Sequence, residues 1–498
     1  MRCATNSARL VAAGLAFASL ASCAVGPDFK RPAAPDSTGY QRPQPAATAA
    51  TPAGAAADTH QQVELGKELA GAWWDLFHSP ALDSAVREAL QHNGTLAAAQ
   101  AALAQAHEAV VIARAGFLPR LNGTAGVQHS GGSTGRTVPS TESGPNLYSL
   151  GLSASYSVDV FGGTRRTVEQ QLALEQIAHY QLAAAYLTLT GSVVTEALSI
   201  ASTRLQIATT EDLLASDRKN LALTQREFEV GTAARADVLT ADSQLAADMT
   251  QLPMLKEQLE TARDAIAVLV GRQPVEPQTH DYGIEEFTVP REIPVSLPSQ
   301  LVHQRPDILA SEAQLHAASA AIGIAVAQEY PQVTLSAALT REALSAGGLF
   351  HNFETLWDAG AGLTAPIFAG GALRAQVRAS RDAFAAQAAT YRQVVLEGLG
   401  QVADDLWALQ YDAERLSVYR HSLDIATEAL KLQQASYAVG KSNVLQLIDA
   451  ERTYAQARLG LATAQIQQFQ DTAGLLVAVG GAWWQQPIDG TGCAPSHC

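Results

Sequence analysis

One structural unit is written twice in this chain, and the repetition constrains its fold more than any other feature. Phe228-Glu-Val-Gly231 returns as Tyr437-Ala-Val-Gly440, and Val268-Leu-Val-Gly271 returns as Val477-Ala-Val-Gly480, both 209 residues further on. Nearer the start of each half, Phe117-Leu-Pro119 corresponds to Tyr330-Pro331, and Asp159-Val-Phe161-Gly-Gly163 to Pro366-Ile-Phe368-Ala-Gly370. The repeats occupy residues 73–272 and 298–481, with a Pro-rich linker over 273–297 and a tail over 482–498. Internal repetition on this scale means that one supersecondary unit was built twice.

Within each half the hydrophobic period changes in the same order. After Pro119, Leu121, Gly123, Ala125 and Val127 alternate with Asn122, Thr124, Gly126 and Gln128; Tyr148 to Val160 then alternate with Ser, Gly and Asp. The second half repeats this from Val333 to Leu339 and from Trp357 to Ile367. Alternation of this kind predicts two β-hairpins, over 120–161 and 332–368, each strand with one apolar and one polar face. Beyond Gly163 and Gly370 the period becomes helical and heptad-like, with no proline from 164 to 230, which predicts coiled-coil packing. A helix of that span reaches about 100 Å at 1.5 Å per residue. Each long helix is expected to break at Val-Gly and return as a second one, over 234–270 and 443–479. The fold class is therefore α+β.

The first residues read as a processing signal over 1–22: Arg2 and Arg9, an apolar run from Leu10 to Leu20, then small residues. Eleven apolar residues are too few to span a bilayer as a helix. Leu20-Ala21-Ser22-Cys23 resembles a bacterial lipobox, in which Cys23 is acylated and becomes the new N-terminus, and residues 23–72 begin with tether-like Pro, Ala, Thr and Gly. A net charge of -15 and the lack of a Lys/Arg cluster argue against nucleic acid as a partner. No paired Cys-x-x-Cys, clustered His/Cys ligands, Gly-x-Ser-x-Gly or phosphate loop suggests a metal, a cofactor or an enzyme. Cys493 and Cys498 can pair in an oxidising compartment or stand as tail residues without a role, and the second reading is preferred.

Strands of about 10 to 13 residues suit a tilted crossing of a hydrocarbon core, and a composition with 47% apolar and 16% charged residues is short of charge for a chain wetted on every side. Four strands cannot close, and open edges are not tolerated in lipid. One chain is therefore expected to need further copies.

The lipobox followed by Ala24-Val-Gly-Pro-Asp-Phe29, together with Trp74-Asp-Leu-Phe77, Val158-Asp-Val-Phe161-Gly, His303-Gln-Arg-Pro-Asp-Ile308 and the two Val-Gly turns, resembles the outer-membrane efflux family, the TolC-like group in its OprM/NodT lipoprotein branch. The resemblance implies an outer-membrane homotrimer with a twelve-stranded barrel, a helical periplasmic tunnel and an equatorial belt. It further implies service as the exit duct of an inner-membrane pump of the resistance-nodulation-division (RND) type, linked by a periplasmic adaptor, with no cofactor and no catalysis. It places the periplasmic gate at Leu445 and Asp449, with Asp237 as a second acidic constriction residue. Leu would form a dry ring, and Asp a cation-attracting ring that holds a cation or a shared proton. Gln446 stands where TolC itself is acidic, so the inner ring is expected to carry less charge. The turns Val230-Gly231-Thr232 and Val439-Gly440-Lys441 are the implied adaptor contacts. The rival readings are the exit duct of a type I protein secretion system and a coiled-coil periplasmic scaffold without a pore. With Met249 and Met254 the only methionines left after processing, no methionine ladder for copper or silver is seen.

Overall fold

The computed structural model describes residues 24–37, 39–40, 61–67, 69, 71–129, 146–276 and 280–481. Cys23, the signal, most of the tether, the loop of the first hairpin, and Cys493 and Cys498 lie outside the described residues. The elements, in chain order, are β1 (Gln62–Leu65), α1 (Pro80–His92), α2 (Gly94–Arg114), β2 (Arg120–His129), β3 (Asn146–Val158), α3 (Gly163–Glu229), α4 (Arg235–Met249), α5 (Gln251–Leu269), β4 (Glu292–Val295), α6 (Pro298–Gln304), α7 (Pro306–Ala327), β5 (Gln332–Ala343), α8 (Gly348–His351), β6 (Glu354–Thr364), α9 (Ala372–Ala438) and α10 (Val444–Val479). The chain divides into two compact units: residues 1–32, 102–179 and 310–392 form the first, and 33–101, 180–309 and 393–498 form the second.

The first unit is built on an antiparallel sheet of order β2-β3-β5-β6. The two hairpins that the alternation predicts lie side by side, because β3 of one repeat pairs with β5 of the other along Tyr148–Val158. β2 and β6 are left as edges. Asp159 of the Val-Asp-Val-Phe-Gly motif caps the first long helix, its two oxygens accepting the backbone N–H groups of Thr164 and Arg165 at 2.9 Å each; a carboxylate there also suits the positive end of the helix dipole. Residues 24–31 are stitched to the base of this sheet. Val25 donates its N–H to the carbonyl of Phe161 at 3.1 Å, and Arg166, only 4% exposed, donates to the carbonyls of Val25 and Gly26 and to the carboxylates of Asp28 and Glu169. Phe29 stacks on His316 at 4.5 Å, and Arg31 reaches Glu312 at 2.5 Å.

In the second unit Trp73, Phe77, Leu82, Leu198, Leu475 and Ile293 share one core. The ring nitrogen of Trp74 donates to Asp83 and that of Trp73 to Thr190, so both indoles are buried with their polar atom satisfied. β1 and β4 pair in parallel. Arg305, from the His-Gln-Arg-Pro-Asp motif, donates to the carbonyl of Ala478 near the end of α10 and to Gln401 on α9, while Asp307 braces it. That motif therefore ties helices together. Gly191 on α3 is required by closeness: a Cβ there would stand 2.9 Å from a methyl of Val477.

One expectation fails in this unit. The return helix of the first repeat is not continuous over 234–270 but breaks at Thr250 into α4 and α5. The cause is Pro253, which has no N–H to give and whose ring crowds the carbonyl of Met249 four residues back. The second repeat has no proline in the same stretch, and α10 runs unbroken for 36 residues.

Candidate functional site

In the first unit the ladder registers sort the strand side chains onto two faces. Leu121 lies opposite Ala154, Ala154 opposite Ala337, and Ala337 opposite Ala359, while Leu152, Leu339 and Trp357 run along the same side. All of that face is Ala, Gly or larger apolar residues except near the far end of the strands, and its large members are uncovered: Leu121, Val127, Leu152, Trp357 and Leu363 are all exposed. The opposite face carries Asn122, Thr124, Ser149, Ser153, Ser155 and their neighbours, again predominantly small. Glu342 stands directly opposite Glu354 on this side and Asp358 follows two steps inward, past Leu356, so its carboxylates lie toward the end away from the helices, while Arg120, opposite Ser155, stands at the other end. A sheet apolar without and hydroxyl-rich within can separate lipid from water. Its unpaired edges allow that only when another strand covers them.

In the second unit both helix-hairpin ends turn on a glycine in the left-handed region, Gly231 with φ 80° and Gly440 with φ 70°, a conformation open to glycine at no steric cost. Thr232 closes the first turn by donating its N–H and its hydroxyl to the carbonyl of Glu227. Lys441 closes the second by donating its N–H to the carbonyl of Ser436. Val230, Gly231, Thr232, Val439, Gly440 and Lys441 are all exposed. The hydroxyl of Tyr437 donates to Glu227 at 2.7 Å and joins the two ends; that hydrogen bond, with burial, pushes the phenol up to about 12.

Past the second turn, Asn443 and Gln446 cap α10 reciprocally, each side chain accepting the other's backbone N–H. Gln446 thus has a structural duty at the position where the resemblance expects a charge. Val444 and Ile448 turn inward onto Ala241, beside Leu221 and Tyr437. Leu445 and Asp449, four residues apart and so on one stripe of the helix, face outward, Leu445 with 38% of its surface exposed. Both residues that the resemblance assigns to a gate in the second repeat are therefore brought together on an uncovered face. Asp237 is differently placed: it sits half-buried in the first turn of α4, where one oxygen accepts the N–H of Ala234 at 2.9 Å.

The sequence did not single out the side chains that hold this stretch of α10. Glu451 accepts from Ser216 at 2.7 Å and Asn220 at 2.5 Å, Arg458 donates to Asp212 at 2.8 Å, and Arg452 donates to Gln244 at 3.0 Å. The acidic and basic residues are plain in the sequence, but their partners lie more than 200 positions away. Asp217, in the same neighbourhood, is pushed up to about 6 by burial and then by Asp248 and Glu451. Further along the helices Asp412 is fully buried, and neither of its oxygens accepts a hydrogen bond; burial and then Asp471 push it up to about 7.

The sequence profile described as outer membrane efflux protein matches residues 85–272 and 297–481. Among characterised relatives, the pyoverdine export outer membrane protein OpmQ of Pseudomonas aeruginosa is 32% identical over 416 residues, covering 82% of this chain and 87% of its own. Nodulation protein T of Rhizobium leguminosarum bv. viciae is 31% identical over 479 residues, covering 96% and 94%. Among solved structures, the outer-membrane channel OprN superposes with a TM-score of 0.80 at 26% identity, covering 93% of this chain and 100% of that one.

Proposed function

The chain belongs to the outer membrane efflux protein family, and from that premise we propose that it is the exit duct of a tripartite efflux pump of the RND type. Three copies close a twelve-stranded barrel in the outer membrane, anchored also by an acylated Cys23, and the long helices continue it as a periplasmic tunnel. Small molecules delivered by an inner-membrane transporter through a periplasmic adaptor leave through it passively. The carrying observation is the four-stranded sheet, with an exposed apolar face and two unpaired edges. A scaffold without a pore would have to leave that face in water, which at about 25 cal/mol for each Å² of apolar surface is a large penalty. A relative named for pyoverdine export favours small molecules over a secreted protein.

Leu445 and Asp449 form the gate in this proposal, because three copies of one outward stripe can converge on a common axis. Asp237 adds a weaker acidic contribution, since part of its carboxylate is engaged at home. The glycine-closed tips are the adaptor contacts. Purified protein in planar bilayers should show small, infrequent openings. Replacing Leu445 and Asp449 together by serine and alanine should raise single-channel conductance several-fold. Wild-type conductance in that variant would remove the gate assignment, and failure of any preparation to conduct would remove the channel itself.

A further inference from the structure

The apolar side of the sheet breaks its own rule at one place. Among the described strand residues, the side that carries Leu121, Ala154, Ala337 and Ala359 holds one guanidinium and no ammonium or carboxylate. That group is Arg341, opposite Leu150 of β3 and Thr355 of β6. β5 lies inside the sheet, between β3 and β6, so a strand added at either edge leaves this position uncovered.

Its level on the strand decides what it can meet. From Val333, at the helix end of β5, to Arg341 is about 27 Å at 3.4 Å per residue, or about 20 Å of depth at a tilt near 40°. An apolar band is about 25 Å tall, so Arg341 stands near its outer boundary, where a cation on the lipid side is tolerated as it is not at the midplane. The guanidinium lies over the ring of Phe353, 4.3 Å from the centroid, and among the described residues nothing accepts its N–H groups. The nearest carboxylates along the chain, Glu342 and Glu354, belong to the opposite face. Inward from Arg341 lie Leu150, Leu339 and Trp357, all exposed. Outward, the connection after β5 leans over the same side: a Cβ on Gly348, in α8, would stand 3.0 Å from that of Ala343, which is buried. Arg341 is thus an unneutralised cation between an apolar floor and a folded-over loop.

We propose that Arg341 and Phe353 bind the phosphate of an anionic lipid in the outer leaflet, with its acyl chains laid on Leu150, Leu339 and Trp357. The site rests on the outer-membrane channel reading and adds a lipid that the chain selects. A guanidinium presents phosphate with a planar fork of donors, and a ring beneath it steadies the plane while leaving the edges free. The favoured head is one whose phosphate is not already covered by an ammonium group of its own, because Arg341 is then its main cation.

The test uses the full-length protein in nanodiscs of phosphatidylcholine containing either diphosphorylated lipid A or the same lipid stripped of phosphate, with retained lipid read by native mass spectrometry. One arginine near an anionic surface supports a preference of about fivefold for the phosphorylated form in the wild type. Arg341→Leu should bring that ratio close to one, Phe353→Leu should lower it, and Arg341→Lys should recover part of it. Arg120→Leu, which removes a cation from the polar side, should leave it unchanged. Should Arg341→Leu fail to insert, the lysine and Phe353 variants carry the comparison. A wild-type ratio near one, or a ratio that these substitutions leave unaltered, overturns the site. Displacement of lipid A by inorganic phosphate at the same concentration also overturns it, as that would make Arg341 a place for the free ion. Conductance of the same preparations in planar bilayers separates the two readings: wild-type protein that conducts without lipid preference loses the lipid site alone, and protein that never conducts loses the channel as well.

Discussion

Replacing Asp412 by asparagine tests whether the packing of α9 on α10 depends on a held proton. The Asp412 carboxyl is buried and neither oxygen accepts a hydrogen bond, Arg415 approaching one of them only as an ion pair. The groups that face it are Asp471 on α10, itself accepting from Gln467 at 2.9 Å, and Arg415 on its own helix at 3.3 Å. Two carboxyls in contact can satisfy each other only by sharing a proton, and burial followed by Asp471 raises Asp412 from 3.8 to about 7. The folded state thus binds this proton more tightly than the unfolded chain does. Its contribution is complete below the unfolded value and is lost as pH rises through about 7. Between about pH 5.5 and pH 8 the loss is about 2 kcal/mol, from 1.36 kcal/mol for each pH unit over which the two states differ in protonation. Asparagine is nearly isosteric and neutral at either pH. Asp412→Asn should therefore exceed the wild type in Tm already near pH 5.5, exceed it by more near pH 8, and show a flatter decline between the two. A variant that declines as steeply as the wild type, or that is less stable near pH 8, would refute the shared proton.

Three further outcomes follow from particular contacts. Gly191→Val places a side chain where even a Cβ comes within 2.9 Å of Val477; overpacking of this kind costs about 1–3 kcal/mol, read as a lowered Tm, and an unchanged Tm would show that the helices part freely. Pro253→Ala restores a missing donor and removes a ring clash worth about 3 kcal/mol in a helix interior. Amide exchange around Met249 to Pro253 should slow as α4 and α5 merge, and unaltered exchange would place the cause of the break elsewhere. Arg166→Met removes its bonds to Val25, Gly26, Asp28 and Glu169; hydrogen bonds to a charged group contribute about 1.5–3 kcal/mol each, so trypsin should cut after Lys30 in the variant and spare the wild type.

The parts of the fold that follow from period are legible in the amino-acid sequence. Alternation sets the strand faces, and the proline-free heptads mark the two long helices, because side-chain periodicity is a local property. The pairing of β3 with β5 is not legible: the alternation defines faces, and it does not say which hairpin adjoins which. Pro253 signals the break at Thr250, but the counterpart helix carries no proline, so the repeat by itself argues for continuity. At the hairpin end, the grouping of Leu445 with Asp449 follows from their spacing of four. The duty of Asp237 as a cap, and the hold of Glu451, Arg452 and Arg458 on helices far away in sequence, are set by tertiary packing that no local pattern encodes.

The placing of charge on the sheet has a consequence for traffic. In the proposed duct, the hydroxyls and glycines along the middle of the polar side offer a passing solute no fixed ion to pause on, with Arg120 at the helix end and the carboxylates toward the other. In the proposed trimer Glu342 and Glu354 at the distal end, and Asp358 further in, would recur in every copy. Such a fringe would favour cations and oppose anions in either direction, so a solute's charge would matter at that end of the duct more than along its middle.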